Sequence, residues 1–254
     1  MLNADTILKA LQDARKKNQL YMVYQPIFDL HSQCICGFEA LMRWNNPDKG
    51  MVAPDLFISL LEKSGHFIAI EDMVTQTPWE TAVLWPKNIS LSINYSALEL
   101  CEPGLFERVK RNFATFCFDP HRCEIEITET QPMFDSEAAL KNIVGLKAQG
   151  IKITLDDFGT GHANLDYLLK YPVDTIKVDK TFIAEMNQCS KSEKIFEGII
   201  TLAHSLGISV LAEGVENKAQ IDLLRSIGCD KVQGFYISQP VLPEEISRLL
   251  TRYV

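Results

Sequence analysis

The stretch Glu193–Glu213, EKIFEGIITLAHSLGISVLAE, runs from an amphipathic helix (Glu193 to Leu206) through Gly207 into an apolar strand (Ile208 to Ala212) and ends on an acid, Glu213. Glycine just past a helix supplies the left-handed turn that stops it. The same order recurs from Ala138 to Gln149, then Gly150, then Ile151 to Leu155, ending at Asp156. It recurs again from Ala219 to Ile227, then Gly228, then Asp230 to Val232, ending at Gln233. Helices alternating with strands imply parallel strands joined by helical crossovers.

Earlier strand-like runs end in a similar way. Ile89 to Ile93 reaches Asn94, Cys123 to Ile127 carries Glu126 with Glu129 just beyond, and Thr175 to Val178 contains Lys177. Near the start, Cys34 to Trp44 carries Glu39 and Arg43. About eight such units in a chain of this length predict an α/β fold of the closed (β/α)8 barrel type, with the active site at the C-terminal ends of the strands. An open doubly wound sheet is the rival, but it would gather its ligand groups at one switch point rather than from nearly every strand. Neither a GxGxxG nor a GxxxxGK[ST] sequence supports it.

With 46% hydrophobic and 23% charged residues, and no low-complexity tract or Pro/Ser-rich linker, residues 1–254 read as one globular domain opening on a helix at about 3–17. A net charge of -8 excludes non-specific binding to DNA, RNA or an anionic membrane surface, which needs a basic face. At the N-terminus, Asp5, Lys9, Asp13 and Arg15 mix with apolar residues at helical spacing, so neither a signal peptide nor a membrane segment is expected. The expected compartment is the cytoplasm. The seven cysteines are irregularly spaced and are expected to be reduced thiols, not a disulfide or zinc framework.

The run Ile153 to Gly161, ITLDDFGTG, sets two adjacent carboxylates where a strand gives way to a glycine-rich turn. Alternation sends consecutive strand side chains to opposite faces, so both acids reach one site only if the chain is leaving the strand as it passes them. Two acids that close repel by roughly 4 kcal/mol at an effective dielectric near 20, and a divalent cation or a shared proton relieves this. Collected at one barrel mouth, Glu39, Asn94, Glu126, Asp156, Asp157 and Glu213 offer oxygen ligands only, which suit Mg²⁺ or Mn²⁺. Two ions, with Lys177 and Arg43, would bring the site close to neutrality, and Asp156 is placed to bridge them. Paired metals stabilise the attacking water and the leaving oxygen of a phosphodiester.

Each residue also has a plainer reading. Glu39 or Glu213 alone reads as a solvated or ion-paired acid and Asn94 as a turn residue. Lys177 reads as a strand-edge lysine facing water, and Arg43 beside Trp44 as a stacking or ion-pairing group. Asp157 through Gly161 reads as a tight turn or, more sharply, as a mobile lid. The histidines, His31, His66, His121, His162 and His204, fall outside the strand-end set.

The run Glu39-Ala40-Leu41 within GFEALMRW resembles the signature that names the EAL-domain family of bacterial cyclic di-GMP phosphodiesterases. The resemblance extends from YQPIFDL at Tyr24 through EITET (Glu126 to Thr130), LDDFGTG (Leu155 to Gly161), IKVDK (Ile176 to Lys180) and LAEGVEN (Leu211 to Asn217) to QGFYISQP, ending at Pro240. It implies a modified TIM (β/α)8 barrel whose first strand is antiparallel to the rest. The implied activity is Mg²⁺- or Mn²⁺-dependent opening of cyclic di-GMP to linear pGpG, which lowers a second messenger of biofilm and motility signalling.

Residue by residue, the resemblance makes Glu39, Asn94, Glu126 and Asp156 ligands of one ion, and Asp156 and Asp157 ligands of a second. Lys177 matches the lysine that positions the attacking water. Glu213 matches a glutamate that serves in water-mediated metal binding or as general base. Gln233 helps hold the site together, and Arg43 contacts a substrate phosphate. Glu129 anchors the loop after Asp157, with Glu216 in the matching position of EGVE. That loop, Phe158, Gly159, Thr160 and Gly161, joins the metal site to a dimer interface, so a homodimer is implied. After Gly161 the chain departs from the family's small serines and aromatic with His162-Ala163-Asn164, and Asn46 replaces a frequent histidine before Pro47. Two other readings make different predictions. A catalytically inactive EAL-type domain would bind cyclic di-GMP or a protein without turnover, and an enolase-like proton abstractor would act on a carboxylate substrate.

Overall fold

A computed structural model describes residues 19–48, 50–54, 71–128, 136–159, 165–186 and 190–253, with isolated positions at 10, 11, 13, 14, 17, 57 and 58. Most of the expected N-terminal helix, together with Glu129, Thr160, Gly161, His66 and the run His162-Ala163-Asn164, lies outside the described residues.

The strands are β1 (Leu20–Asp29), β2 (Cys34–Asn46), β3 (Gly50–Val52), β4 (Ser90–Tyr95), β5 (Cys123–Thr128), β6 (Lys152–Phe158), β7 (Thr175–Val178), β8 (Ser209–Ala212) and β9 (Lys231–Val232). Their order is β1-β9-β8-β7-β6-β5-β4-β2, and a β1–β2 pairing closes the ring as an eight-stranded barrel with β3 appended to β2. β1 runs antiparallel to both neighbours, β2 and β9, while β2, β4 and the strands through β9 are mutually parallel. The expected barrel with an inverted first strand is therefore present. The cause is local: only Leu30 to Gln33 separates β1 from β2, too short for the crossover a parallel pair needs.

The helices are α1 (Glu71–Ala82), α2 (Ala97–Leu100), α3 (Leu105–Phe116), α4 (Ser136–Ala148), α5 (Leu165–Lys170), α6 (Lys180–Met186), α7 (Ser190–Ser205), α8 (Lys218–Ser226) and α9 (Ile246–Arg252). Among the described residues none is long and apolar enough to cross a membrane. The three helix-glycine-strand units read from sequence correspond to α4–β6, α7–β8 and α8–β9, with boundaries shifted by one to three residues. α3 packs through Leu105, Val109 and Phe113, a stripe at four-residue spacing on one face. Trp79 of α1 lies against Phe113, ring centroids 4.2 Å apart, which joins the two helices over the barrel wall.

Alternation divides each short parallel strand between helix layer and barrel lumen. Ile125 and Ile127 face helices while Glu124 and Glu126 face inward; in β7, Ile176 and Val178 face outward while Thr175 and Lys177 face inward, and all are buried. Low in the lumen, Lys231 and Glu124 form an ion pair at 3.7 Å. The six described cysteines are free thiols, two of them, Cys123 and Cys229, buried in the core.

One device recurs below the barrel. Asp174, just before β7, accepts the Ile153 N–H of β6 at 2.8 Å and meets Lys147 of α4 at 2.5 Å. Asp230, just before β9, accepts the Val210 N–H of β8 at 2.7 Å and meets His204 of α7 at 2.9 Å. In both cases an acid ties the preceding strand to the helix that leads into it.

Candidate active site

Alternation and register bring the polar strand ends together. Glu39 lies mid-β2, Asn94 near the end of β4 beside Glu126 of β5, Asp156 in β6, Lys177 in β7, and Glu213 and Gln233 immediately past β8 and β9. An eight-stranded barrel is just wide enough for side chains from opposite walls to meet. Lys177 accordingly reaches across it and is 1% exposed, not a strand-edge lysine facing water.

Its ammonium lies 2.7 Å from Glu126, 2.8 Å from Glu213, 3.3 Å from Glu39 and 3.5 Å from Asp156. Glu39 also accepts the Asn94 amide at 2.8 Å and the Gln233 amide at 2.7 Å. Ser92 donates to the other oxygen of Glu126. Its place was readable from sequence, because it stands two residues before Asn94 and therefore on the same inward face.

The two aspartates share a region although β6 continues past both to Phe158, which pairs with Val178: an irregularity in the strand, not its end, turns them to one side. The β6–β7 register shifts between Leu155 and Phe158, Asp157 takes a left-handed φ of 57°, and its N–H donates to Asp156 Oδ1 at 2.8 Å. The irregularity is thus centred on Asp157, and the turn follows at Gly159, whose φ is 97°. One carboxylate oxygen from each of Asp156, Asp157 and Glu213 lies within 4.8 Å of the other two. Glu216 lines the same cleft, and Phe158 is buried beneath the turn.

Burial acts against the Lys177 charge, but Asp156, Glu126, Glu39 and Glu213 outweigh it and hold the ammonium well above the ordinary lysine range. Burial also raises Glu126, helped by the Glu39 charge, and raises Asp156; it pushes Glu213 up to about 7. Glu39 moves the other way. Burial raises it, yet Lys177 and the amide donors Asn94 and Gln233 bring it below the ordinary carboxylate range. These groups titrate as one set, and the difference has a chemical reason: a carboxylate receiving two amide N–H bonds holds its charge better than Glu126 does.

Five carboxylates, Glu39, Glu126, Asp156, Asp157 and Glu213, face two cations, Lys177 and the half-buried Arg43. The excess of three negative charges fits divalent cations held by hard oxygen donors. Gln233 Oε1 is buried and has no partner among the described residues, an acceptor left over beside Glu39. Among the described residues, Asp156, Asp157 and Glu213 are the acids whose oxygens converge closely enough to hold an ion.

Above this floor opens a cleft of about 720 Å³, within the size range of small-molecule sites. Glu39, Asp156, Lys177, Glu213 and Gln233 form its base, and Tyr21, Arg43, Lys180 and Phe235 stand on its walls. Tyr21, Lys180 and Phe235 were not picked out by the sequence: Lys180 and Phe235 lie past strand ends, and Tyr21, which alternates with Val23 and Gln25 along the cleft side of β1, does not end an apolar run. Of the described histidines, none lines the cleft. Gly234 holds the far wall in place: a Cβ there would lie 2.2 Å from the Val215 backbone, and Val215 N–H donates to Gln233 O at 3.1 Å.

The geometry agrees with comparisons to known proteins. The protein named bifunctional diguanylate cyclase/cyclic di-GMP phosphodiesterase MucR, from Pseudomonas aeruginosa, is 33% identical over 251 residues, 96% of this chain and 37% of that protein. The chain spans about a third of the length of the first curated relatives it matches. A solved structure described as PaMucR phosphodiesterase in complex with c-di-GMP superposes with a TM-score of 0.87 at 33% identity, covering 94% of this chain and 99% of that one. An EAL domain protein from Listeria monocytogenes EGD-e gives a TM-score of 0.86 at 31% identity, covering 96% and 97%. The EAL domain family profile matches residues 8–240, so the chain belongs to the EAL domain family.

Proposed function

We propose that this chain is a single catalytic domain that hydrolyses one phosphodiester bond of cyclic di-GMP to give linear pGpG, using two Mg²⁺ or Mn²⁺ ions. The carrying observation is the Lys177 ammonium held among Glu126, Glu213, Glu39 and Asp156, which leaves a complete set of oxygen donors around a single resident cation. The EAL family and a relative named as a cyclic di-GMP phosphodiesterase support a hydrolase, and a related structure holds c-di-GMP.

Bound divalent ions supply positive charge to the phosphoryl oxygens and lower the pKa of a coordinated water. The protein groups do the rest. Arg43, on the cleft wall, binds a phosphate, and Lys177 donates to the attacking water from a position fixed by its carboxylate partners. Glu213 is the most open of the Lys177-bound acids, with its side chain 20% exposed, and takes the proton of that water. Water adds to phosphorus, the bond to O3′ breaks, and the ribose hydroxyl regains a proton; the product keeps a 5′-phosphate. Gln233 and Asn94 hold Glu39 in line throughout.

The chain is further proposed to pair with a second copy. α4 leaves Leu140 and Val144 exposed, and α5, which follows the loop after Asp157 in the chain, leaves Leu165 and Leu169 exposed, which supports an apolar contact involving these helices. In that pairing Glu129, Phe158, Gly159, Thr160, Gly161 and Glu216 couple the interface to the metal site. The cytoplasm is the proposed compartment.

The test is incubation with cyclic di-GMP and Mg²⁺ or Mn²⁺ beside Glu39→Ala. Linear pGpG from the wild type alone supports the assignment. Tight binding of cyclic di-GMP with no product would replace it with a sensory, non-catalytic role.

A further inference from the structure

The cleft walls carry one cation whose charge the site does not use. Lys177 is committed to four carboxylates, and Arg43 already donates to the Met42 carbonyl at 2.9 Å. The ammonium of Lys180, which is exposed and lines the cleft, forms no ion pair or hydrogen bond with any described residue, including Glu216 on the same cleft. Its stem is nevertheless placed. A Cβ at Gly214 would meet Lys180 Cβ at 2.3 Å, so the glycine after Glu213 makes room for this lysine to rise beside the acidic floor.

The barrel order sets its position relative to Arg43. Arg43 is on β2 and Lys180 follows β7 by two residues, and four steps separate β2 from β7 in either direction around the ring. They therefore stand on opposite sides of the mouth. A cyclic dinucleotide has the matching chemistry, with two phosphodiester anions on opposite sides of one macrocycle. Only one of them can sit over the acids.

We propose that Lys180 is a substrate-positioning residue that binds the phosphodiester not being cleaved, across the cleft from Arg43. This rests on the cyclic dinucleotide assignment above and deepens it: the two rim cations select a ligand with two separated phosphates. The contact forms on ligand binding, when the cleft loses water and a charge-assisted hydrogen bond gains strength.

The experiment compares wild type, Lys180→Ala and Lys180→Arg for kcat and KM on cyclic di-GMP, and for competitive inhibition by GpG, which has a single phosphodiester. Lys180→Ala is expected to raise KM about ten-fold with kcat nearly unchanged, the scale of one hydrogen bond to a charged group. Lys180→Arg is expected to restore KM, and inhibition by GpG to be the same in all three proteins. An unchanged KM in Lys180→Ala, with the wild type active, overturns the role of Lys180 and leaves the function standing. Equal weakening of GpG would also overturn it, because the lysine would then serve the cleaved phosphate. A wild type that neither binds nor cleaves cyclic di-GMP overturns the functional assignment and this role with it.

Discussion

The Lys177 ammonium lies 2.7 Å from Glu126 Oε2, and each side chain is 1% exposed. Breaking a buried pair leaves an uncompensated charge and costs roughly 3–5 kcal/mol. In chelator, Lys177→Met is expected to melt at a lower temperature than wild type, and Mg²⁺ or Mn²⁺ is expected to recover part of the loss by neutralising the same acids. Hydrolysis should be lost in either condition. An unchanged melting temperature in chelator would contradict the view of Lys177 as the resident countercharge.

Glu99 gives a pH dependence separate from the candidate active site. It is 6% exposed in a capping box with Ser96, and burial pushes its carboxyl up to about 7 from 4.5. An acid raised on folding leaves the native state binding more protons, so stability is full below about pH 4.5 and falls as pH rises to about 7, by roughly 3 kcal/mol. Glu99→Gln keeps a capping side chain without the charge. Urea unfolding should find it more stable than wild type at pH 8 and equal to it at pH 4.5; no gain at pH 8 would contradict the assignment.

Asp174 joins Lys147 to the Ile153 N–H. Asp174→Ala is expected to cost about 1–3 kcal/mol by orphaning that buried donor, while Asp174→Asn keeps an acceptor and costs less. Lys147→Met should cost under about 1 kcal/mol, because the ion pair is partly solvated. Chemical denaturation orders the three variants, and a larger loss in Lys147→Met than in Asp174→Ala would reverse the reasoning.

Gly234→Ala places a methyl group 2.2 Å from Val215 N and O, both backbone atoms that cannot rotate away. Overpacking of this kind costs about 1–3 kcal/mol. Because the same contact fixes Gln233 against Glu39, kcat should fall along with the melting temperature. A variant with full activity and unchanged melting would show that the cleft wall tolerates the displacement.

Much of this was legible because the barrel places its polar residues where apolar runs stop. Asp156, Glu213 and Gln233 each close a helix-glycine-strand unit, and Asn94 and Lys177 fall on inward positions of β4 and β7. Periodicity did not supply the inversion of β1, which depends on pairing direction; the four-residue connection to β2 carried that signal. Asp157 shows the limit most clearly. The sequence read Asp157 through Gly161 as a turn leaving the strand, whereas β6 continues to Phe158 and Asp157 takes φ 57° at an irregularity within it. Ser92 was open to the same alternation that places Asn94, whereas the Glu124–Lys231 pair went unread because it depends on which strands meet across the assembled lumen. Lys180 and Phe235 lie past strand ends, where only the folded cleft gives them a common wall.

The most direct measurement follows pGpG formation from cyclic di-GMP by chelator-stripped protein before and after addition of Mn²⁺ or Mg²⁺. The expected trace is flat at first and then rises, while Glu39→Ala stays flat throughout. No linear product after either ion, or the same rate before and after addition, would contradict metal-dependent hydrolysis at this site.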